Sequence, residues 1–305
     1  MIPRYRRNLL NLFLLISGLT LGNLFSCVFT GDGHSVLSLR VFDDHSTFSG
    51  NVSFLRCVVY FDSEYEYLEN IVSTQLVGYG KECNETKFVT SSRNLTINMK
   101  NMTKSSFVNR SIIYWDSFLE TIAHFNENAD WTYIGDDQSY LVAENLRHLL
   151  RKLNPEDPYI LGRTWSNEKR FLVQFFPILQ REVILIENGI VLSKKAILLL
   201  KKCSGKWMYA ATARALKYCA DEYDIPVIDP IDSERRPLFQ YATRGILDSQ
   251  NKMSCIKADT KNGDVKDLTC SDHLVSIGGV SFPEMGLIEF FSRMKVFGRG
   301  PVKYF

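Results

Sequence analysis

The chain has 305 residues, 45% of them hydrophobic and 23% charged, with a formal net charge of +2. A charge this close to neutral gives no basic footprint for nucleic acid, and no nucleic-acid partner is expected. The length allows one compact domain with a good core.

Arg4, Arg6 and Arg7 precede an uncharged run from Leu9 to Phe29. About twenty apolar residues suffice to cross a bilayer as a helix. Arginines on the near side favour a cytosolic N-terminus and a lumenal remainder. A cleaved signal peptide is the competing reading, although the run is long for one and no clean small-x-small site follows it. The expected organisation is a cytosolic tail over 1–8, a signal-anchor transmembrane helix over 9–29, a polar stem over 30–52 and a lumenal domain over 53–305. This describes a single-pass type II protein of the Golgi or endoplasmic reticulum membrane. Sequons at Asn51, Asn84, Asn94, Asn101 and Asn109 agree with a lumenal body. The last four fall in polar, loop-like sequence expected at the surface. A Ser/Thr/Asn-rich loop that is never glycosylated is the plain alternative.

Phe54–Phe61 is β-branched and aromatic and reads as a strand. Residues 64–76 look helical, and 87–90 form a short strand. From Ser111 to Asn128, Ile112, Trp115, Phe118, Leu119, Ile122 and Phe125 recur at helical spacing. Trp131–Ile134 is the next strand and Tyr140–Lys152 the next helix. Strands alternating with helices predict a mostly parallel sheet covered on both faces, with ligands at the carboxyl ends of its strands. Pro155 and Pro158 stop the helix. Tyr159–Arg163 is a strand leaving through Gly162. Val183–Leu192 reads as a strand, a turn at Asn188-Gly189 and a second strand or helix start. Ser193 is placed to cap a helix running to Lys202. Lys206–Ala220 is helical, Pro226–Pro237 a turn-rich loop, and Phe282–Phe297 a closing helix with Pro283 near its first turn.

Of seven cysteines, Cys27 lies in the apolar run. An even number in an oxidising lumen suggests disulfides among the other six. Sequence order favours Cys57 with Cys83, Cys203 with Cys219, and Cys255 with Cys270, out of about fifteen possible pairings. No pair has CxxC spacing and the histidines do not cluster near cysteines, which argues against structural zinc. Without a histidine in motif relation, the cysteines read as staples and not nucleophiles.

The most informative stretch is Ala129–Tyr140, an aromatic run that stops at Asp136-Asp137. An acid pair at the end of a buried strand costs desolvation energy unless a cation or hydrogen bonds offset it. A divalent metal on a nucleotide-sugar diphosphate is one solution; capping the following helix is the other. Trp115, Trp131 and Tyr133 read as core. Glu187, beside Gly189, is either a base candidate or a strand-edge carboxylate paired with a lysine. The pairs Lys194-Lys195 and Lys201-Lys202 suit a solvated helix face.

From Asp130 to Arg163 the chain contains Asp130-Trp131, the acid cluster, Glu144-Asn145-Leu146-Arg147, Asn154-Pro155-Glu156-Asp157-Pro158 and Leu161-Gly162-Arg163. This run resembles core 1 β1,3-galactosyltransferases, relatives of the fringe glycosyltransferases. Four further features are similar to the family over roughly 54–300: Gly189-Ile190-Val191-Leu192-Ser193-Lys194, the segment flanked by Cys203 and Cys219, Cys270-Ser271-Asp272 with Val275-Ser276, and Tyr114-Trp115. The resemblance implies a GT-A fold, a mostly parallel sheet with helices on both faces. It implies the mucin-type O-glycosylation reaction, in which galactose passes from UDP-galactose to N-acetylgalactosamine on Ser or Thr of a glycoprotein, with inversion and with manganese. The metal neutralises the departing diphosphate and a carboxylate base deprotonates the acceptor hydroxyl.

Three positions depart from that pattern. The family's acid triple, its nucleotide-sugar and metal motif, stands here as Asp136-Asp137-Gln138, and a neutral Gln is a weaker partner for a hard cation. The family's Glu-Asp pair falls on Thr212 and Ala213, so the base would have to come from Asp221, Glu222 or Glu187. A late His, a second metal ligand, falls on Gly278. The same family includes a chaperone of the core 1 enzyme that is not a transferase. Asn188–Ser193 and Ile277-Gly278-Gly279 resemble that member. Two functions stay open: a transferase with an altered metal shell, and a non-catalytic chaperone or binding partner of an active galactosyltransferase paralogue.

Overall fold

A computed structural model describes residues 54–61, 72, 74–75, 78–90, 105–109, 115–125, 128–166, 182–203, 212–233, 235–242, 254–256, 267–271 and 273–298. The chain divides into two compact units, Met1–Ser35 with Ser166–Glu182, and Val36–Trp165 with Val183–Phe305. The main sheet and the helices that cover it belong to the second unit. The expected anchor over 9–29 and the sequons at Asn51, Asn94 and Asn101 lie outside the described residues. No helix among the described residues is long and apolar enough to cross a membrane.

In chain order the strands are β1 (Leu55–Phe61), β2 (Glu85–Thr90), β3 (Ser105–Asn109), β4 (Trp131–Asp136), β5 (Tyr140–Leu141), β6 (Ile160–Gly162), β7 (Thr164–Ser166), β8 (Glu182–Ile184), β9 (Ile190–Ser193), β10 (Val227–Ile228), β11 (Phe239–Tyr241), β12 (Ser254–Ile256), β13 (Asp267–Thr269) and β14 (Ser276–Gly278). The helices are α1 (Trp115–Ala123), α2 (Ala143–Leu150), α3 (Lys194–Leu200), α4 (Thr212–Glu222) and α5 (Phe282–Gly298). Among the described residues a seven-stranded sheet runs β10-β6-β9-β4-β1-β2-β3, and a smaller one runs β11-β14-β5.

β1 lies inside the large sheet and reads as a continuous apolar run because both of its faces are covered. Leu55, Cys57, Val59 and Phe61 meet α2 and α5 through Leu146, Leu149 and Met285. Val58 and Tyr60 meet α1, α3 and α4 through Phe118, Ile197 and Leu216. The helix and strand periodicities of the sequence therefore converge on a two-faced sheet, as expected for this fold class.

The pairing fixes direction. β1 is parallel to β2 and β4, β2 to β3, and β6 to β10, while β9 is antiparallel to both β4 and β6. All of these strands except β9 thus point the same way, and their carboxyl ends form one edge. Ser193 caps α3 by accepting from Ala196 N. At Gly189 the backbone takes φ +78°, a conformation that suits glycine in the turn before β9.

Three expectations are corrected. Tyr140–Lys152 is not one helix: Tyr140 and Leu141 pair with Ile277 and Ser276 as β5, and α2 starts only at Ala143. Their burial and their pairing with β14 outweigh the helical spacing, a tertiary override of local pattern. The polar segment before Asn109 is not all loop. Its last residues form β3, which pairs in register with β2 and covers that strand's open edge. Within 226–237, Val227 and Ile228 leave the turn-rich pattern to pair with β6 as β10.

Disulfides join Cys57 to Cys83 and Cys203 to Cys219, the first two pairings favoured by sequence order. Cys270 is disulfide-bonded as well. Cys255, expected opposite it, lies on β12, which pairs with β13 just before Cys270.

Candidate active site

β4 delivers Asp136 to the carboxyl edge of the sheet. Its neighbour in β1 is Tyr60. On the other side, β9 begins at Ile190, opposite Ile134 of β4 and Gly162 of β6. The turn Ile186–Asn188, carrying Glu187, therefore sits between the ends of β4 and β6. Asp136, Asp137, Glu187 and Arg163 collect around that turn.

The floor beneath the acids is a buried hydroxyl chain. Tyr133 is fully buried, and its hydroxyl lies 2.9 Å from Ser276 Oγ and donates to Ser139 Oγ at 3.3 Å. Ser139 Oγ accepts from Asp136 N and donates to Asp136 O, both at 2.9 Å. Burial pushes the Tyr133 hydroxyl up to about 12, so it stays protonated and serves as a donor. A Cβ on Gly135 would stand 2.2 Å from Ser139 Oγ, and one on Gly189 would stand 2.5 Å from Ser276 Oγ. Two glycines are thus required by the close packing of this chain.

The acids do not cap a helix, contrary to one expectation. Val142 is the N-cap of α2 and makes no side-chain cap bond. Asp136 Oδ1 instead accepts from Gln138 N at 3.1 Å, closing a tight turn after β4. Burial raises the Asp136 carboxyl to about 7, with further upward push from the Asp137 and Glu187 charges, against which the Gln138 and Ser139 bonds act. A group of this kind, half-protonated near neutrality and crowded by like charge, is a common mark of a functional site. Asp137 is buried; Gln138 and Glu187 are exposed. Glu187 has no lysine partner among the described residues, so the strand-edge ion pair expected for it is not formed there.

The residue types suit a hard divalent cation: two carboxylates from the β4 end and a third from the facing turn. Their ligand oxygens do not all converge within 4.8 Å, so this set is not a ready-made coordination sphere. The histidine position of the resembling family is closed off. A Cβ on Gly278 would lie 1.8 Å from the carbonyl oxygen of Glu187 and 2.7 Å from its carbon. The backbone of the Glu187 turn fills the space a side chain at 278 would need.

The substitute bases are separated by topology. α4 ends at Glu222, and the short link to β10 brings Ile160 N to Pro226 O at 3.0 Å, at the amino edge of the sheet. Asp221 and Glu222 therefore belong to the edge opposite Asp136. Asp221 is ion-paired with Lys217 at 2.6 Å. Glu222 Oε2 lies 3.5 Å from the Cys203 sulfur. Cys203, Cys219 and Glu222 are the group among the described residues whose ligand atoms come close enough for a metal, but both sulfurs are committed to the disulfide. Thr212 and Ala213 open α4 and bear no acid. Of the three candidates, the structure brings only Glu187 to the acid pair.

Several site residues were not singled out from sequence. Arg163, just past β6, donates to Asp229 Oδ2 at 2.6 Å, and its carbonyl accepts from Leu185 N at 2.8 Å, tying the Glu187 turn to β6. Asp232 accepts from Arg236 N, from the Arg236 guanidinium and from Ser271 Oγ. Burial pushes the Asp232 carboxyl up, but those bonds outweigh it and hold the group below its ordinary range. Ser139 carries no pattern that distinguishes it from a surface serine, and Ser276 was visible only within the Val275-Ser276 motif. Arg163 was visible only as part of a motif.

No protein-family model matches the chain. Among solved structures it is similar to a galactosyltransferase in complex with donor and acceptor sugar analogues, at 10% identity and TM-score 0.42, covering 82% of this chain and 98% of that one. It is also similar to glucosyl-3-phosphoglycerate synthase from Mycobacterium tuberculosis in complex with Mn2+ and UDP, at 9% identity and TM-score 0.38, covering 59% and 70%. A third is 4-diphosphocytidyl-2C-methyl-D-erythritol synthase from Anaerococcus prevotii, at 12% identity and TM-score 0.39, covering 59% and 87%. Likenesses this distant leave the chemistry of the chain to its own residues.

Proposed function

We propose that this chain is a GT-A-type domain of the core 1 β1,3-galactosyltransferase lineage that has lost efficient sugar transfer and keeps a weak site for a nucleotide sugar with a divalent cation. The observation that carries the reading is the closure of position 278 by the Glu187 backbone. With it go the acid-free start of α4 and the siting of Asp221 and Glu222 at the far edge. Among the described residues the base candidates are then reduced to Glu187, which the cation also needs, and the cation has only loosely gathered carboxylates.

Asp136, Asp137 and Glu187 would hold the cation, which when bound supplies charge neutralisation for a diphosphate. The chain's own part is to present carboxylates on a rigid strand end. The bond from Gln138 N and the Ser139 turn hold Asp136 in place. Losing a positioned base alone costs about 10²–10⁴-fold in rate. A lumenal, type II setting and a role as chaperone or binding partner of an active paralogue are the companion proposals. They suit a domain that keeps a complete core while its catalytic positions are changed.

The test is galactosyl transfer from UDP-galactose to an N-acetylgalactosaminyl peptide by the purified full chain, together with calorimetric UDP binding with and without Mn2+. Expected are turnover at least about 10²-fold below an active paralogue and weak, Mn2+-dependent UDP binding. Robust Mn2+-dependent turnover would overturn the reading. In that case alanine at Glu187, Asp221 and Glu222 identifies the base.

A further inference from the structure

The sequon Asn84-Glu85-Thr86 straddles the entry to β2, and its two functional residues have opposite fates on folding. Asn84 is exposed. Its Oδ1 accepts from Leu55 N at 2.9 Å and from the Arg147 guanidinium at 3.4 Å, while Asn84 N donates to Leu55 O at 2.8 Å. Its Nδ2 has no partner among the described residues, so a sugar on that nitrogen is compatible with every bond the residue makes. Thr86 is buried, at 3% exposure, with its hydroxyl donated to Gly80 O at 3.2 Å. It lies in a strand flanked on both sides, opposite Cys57 in β1 and Ser105 in β3. The disulfide from Cys57 to Cys83 locks this arrangement one residue before the sequon.

N-glycosylation reads both ends of Asn-x-Thr, so the threonine hydroxyl must be reachable when the asparagine reacts. We infer that Asn84 is an N-glycosylation site that is open only before β2 docks between β1 and β3, so that its occupancy is decided by a race between glycosyl transfer and closure of the Cys57–Cys83 disulfide. In the transfer, the Asn84 Nδ2 forms a bond to the anomeric carbon of a lipid-diphosphate-linked oligosaccharide. The bond from that carbon to the diphosphate oxygen breaks, the lipid diphosphate leaves, and the amide proton goes to the transferring enzyme's base. The finished protein accommodates the product but cannot be its substrate. The inference concerns the folding chain alone and is independent of the catalytic reading; it rests on the expected exposure of 53–305 to the lumen.

The experiment offers two forms of the full chain, made without glycans, to purified oligosaccharyltransferase with its lipid-linked donor. One form is native and oxidised; the other is reduced, alkylated and unfolded. Glycopeptide mass spectrometry reads modification at Asn84. The unfolded form is expected to be modified at least about tenfold faster than the native one. In secretory cells, Cys57→Ser, or dithiothreitol present during synthesis, is expected to raise Asn84 occupancy above that of the untreated wild type. Asn84→Gln should abolish the Asn84 glycopeptide in both settings. Equal rates for native and unfolded chains would overturn the inference, as would an absence of Asn84 modification in the unfolded chain. Occupancy unchanged by Cys57→Ser and by dithiothreitol would also overturn it.

Discussion

Replacing Asp136 by Asn tests the electrostatics of the site most directly. The amide keeps an Oδ1 to accept from Gln138 N and removes the charge that Asp137 and Glu187 oppose. In the folded protein the carboxyl titrates at about 7, against an ordinary value of 3.8. Its folded pKa is raised, so the ionised form is the one folding disfavours. Stability from this group is fully present below pH ~4, falls as pH rises from about 4 to 7, and stays low above. A gap of roughly three units at about 1.4 kcal/mol per unit sets a ceiling of ~4 kcal/mol. Asp136 is not sealed from solvent, and screening reduces this to about 1–3 kcal/mol. Asp136→Asn should therefore be more stable than wild type by about 1–3 kcal/mol at pH 8 and indistinguishable at pH 4. Urea unfolding at a series of pH values reads the difference. Added Mn2+ should narrow the gap at pH 8 by stabilising only the wild type. A variant that is less stable than wild type at pH 8, or a difference that does not change with pH, would refute the argument.

Three further outcomes can be checked on the same material. Gly278→Ala should cost about 3 kcal/mol or more, because its methyl meets a backbone carbonyl that cannot rotate away, and Gly278→His should not raise Mn2+ affinity in calorimetry; a well-tolerated alanine would show that the turn is soft. Tyr133→Phe should cost about 1–2 kcal/mol in urea unfolding by leaving buried serine hydroxyls short of a partner, and an unchanged midpoint would remove the hydroxyl chain as a structural element. Cys219→Ser opens a loop of 16 residues, for which a loss of about 3 kcal/mol is expected; thiol mapping that finds Cys203 and Cys219 both free in the wild type would refute the pairing.

The strand of aromatic residues ending in acids was legible from sequence because both of its signals are local: an apolar, aromatic run along Trp131–Ile134 and charge at the end of it. The same holds for Ser193, whose side chain caps the helix that begins one residue later. Tyr140 and Leu141 were misread because their partners, Ile277 and Ser276, are far along the chain. A periodicity confined to 140–152 contains no information about them. β3 was hidden for a related reason, since an edge strand is specified by its neighbour's need for pairing as much as by its own residues. At the site, resemblance located positions 138, 213 and 278, and residue type showed what each lacks. Sequence did not show that Glu187 joins the acid pair while Asp221 and Glu222 face the other way. Strand direction decides that, and in the large sheet it is β9, antiparallel to both β4 and β6, that brings the Glu187 turn to the acid edge.

On the descent proposed above, the contact between Gly278 and the Glu187 carbonyl also has a historical meaning. A glycine that has merely lost a side chain can regain one by a single substitution. Here the neighbouring turn occupies the volume a side chain would need, so any side chain at 278 meets a backbone carbonyl 1.8 Å from where its Cβ must go. The turn is held by Gly189 and by Leu185 N on the Arg163 carbonyl, and would have to move before the side chain could enter. Either change alone is damaging. If that descent holds, the geometry acts as a ratchet, and a later variant of this chain would reach a new function more readily than it would recover a ligand at 278.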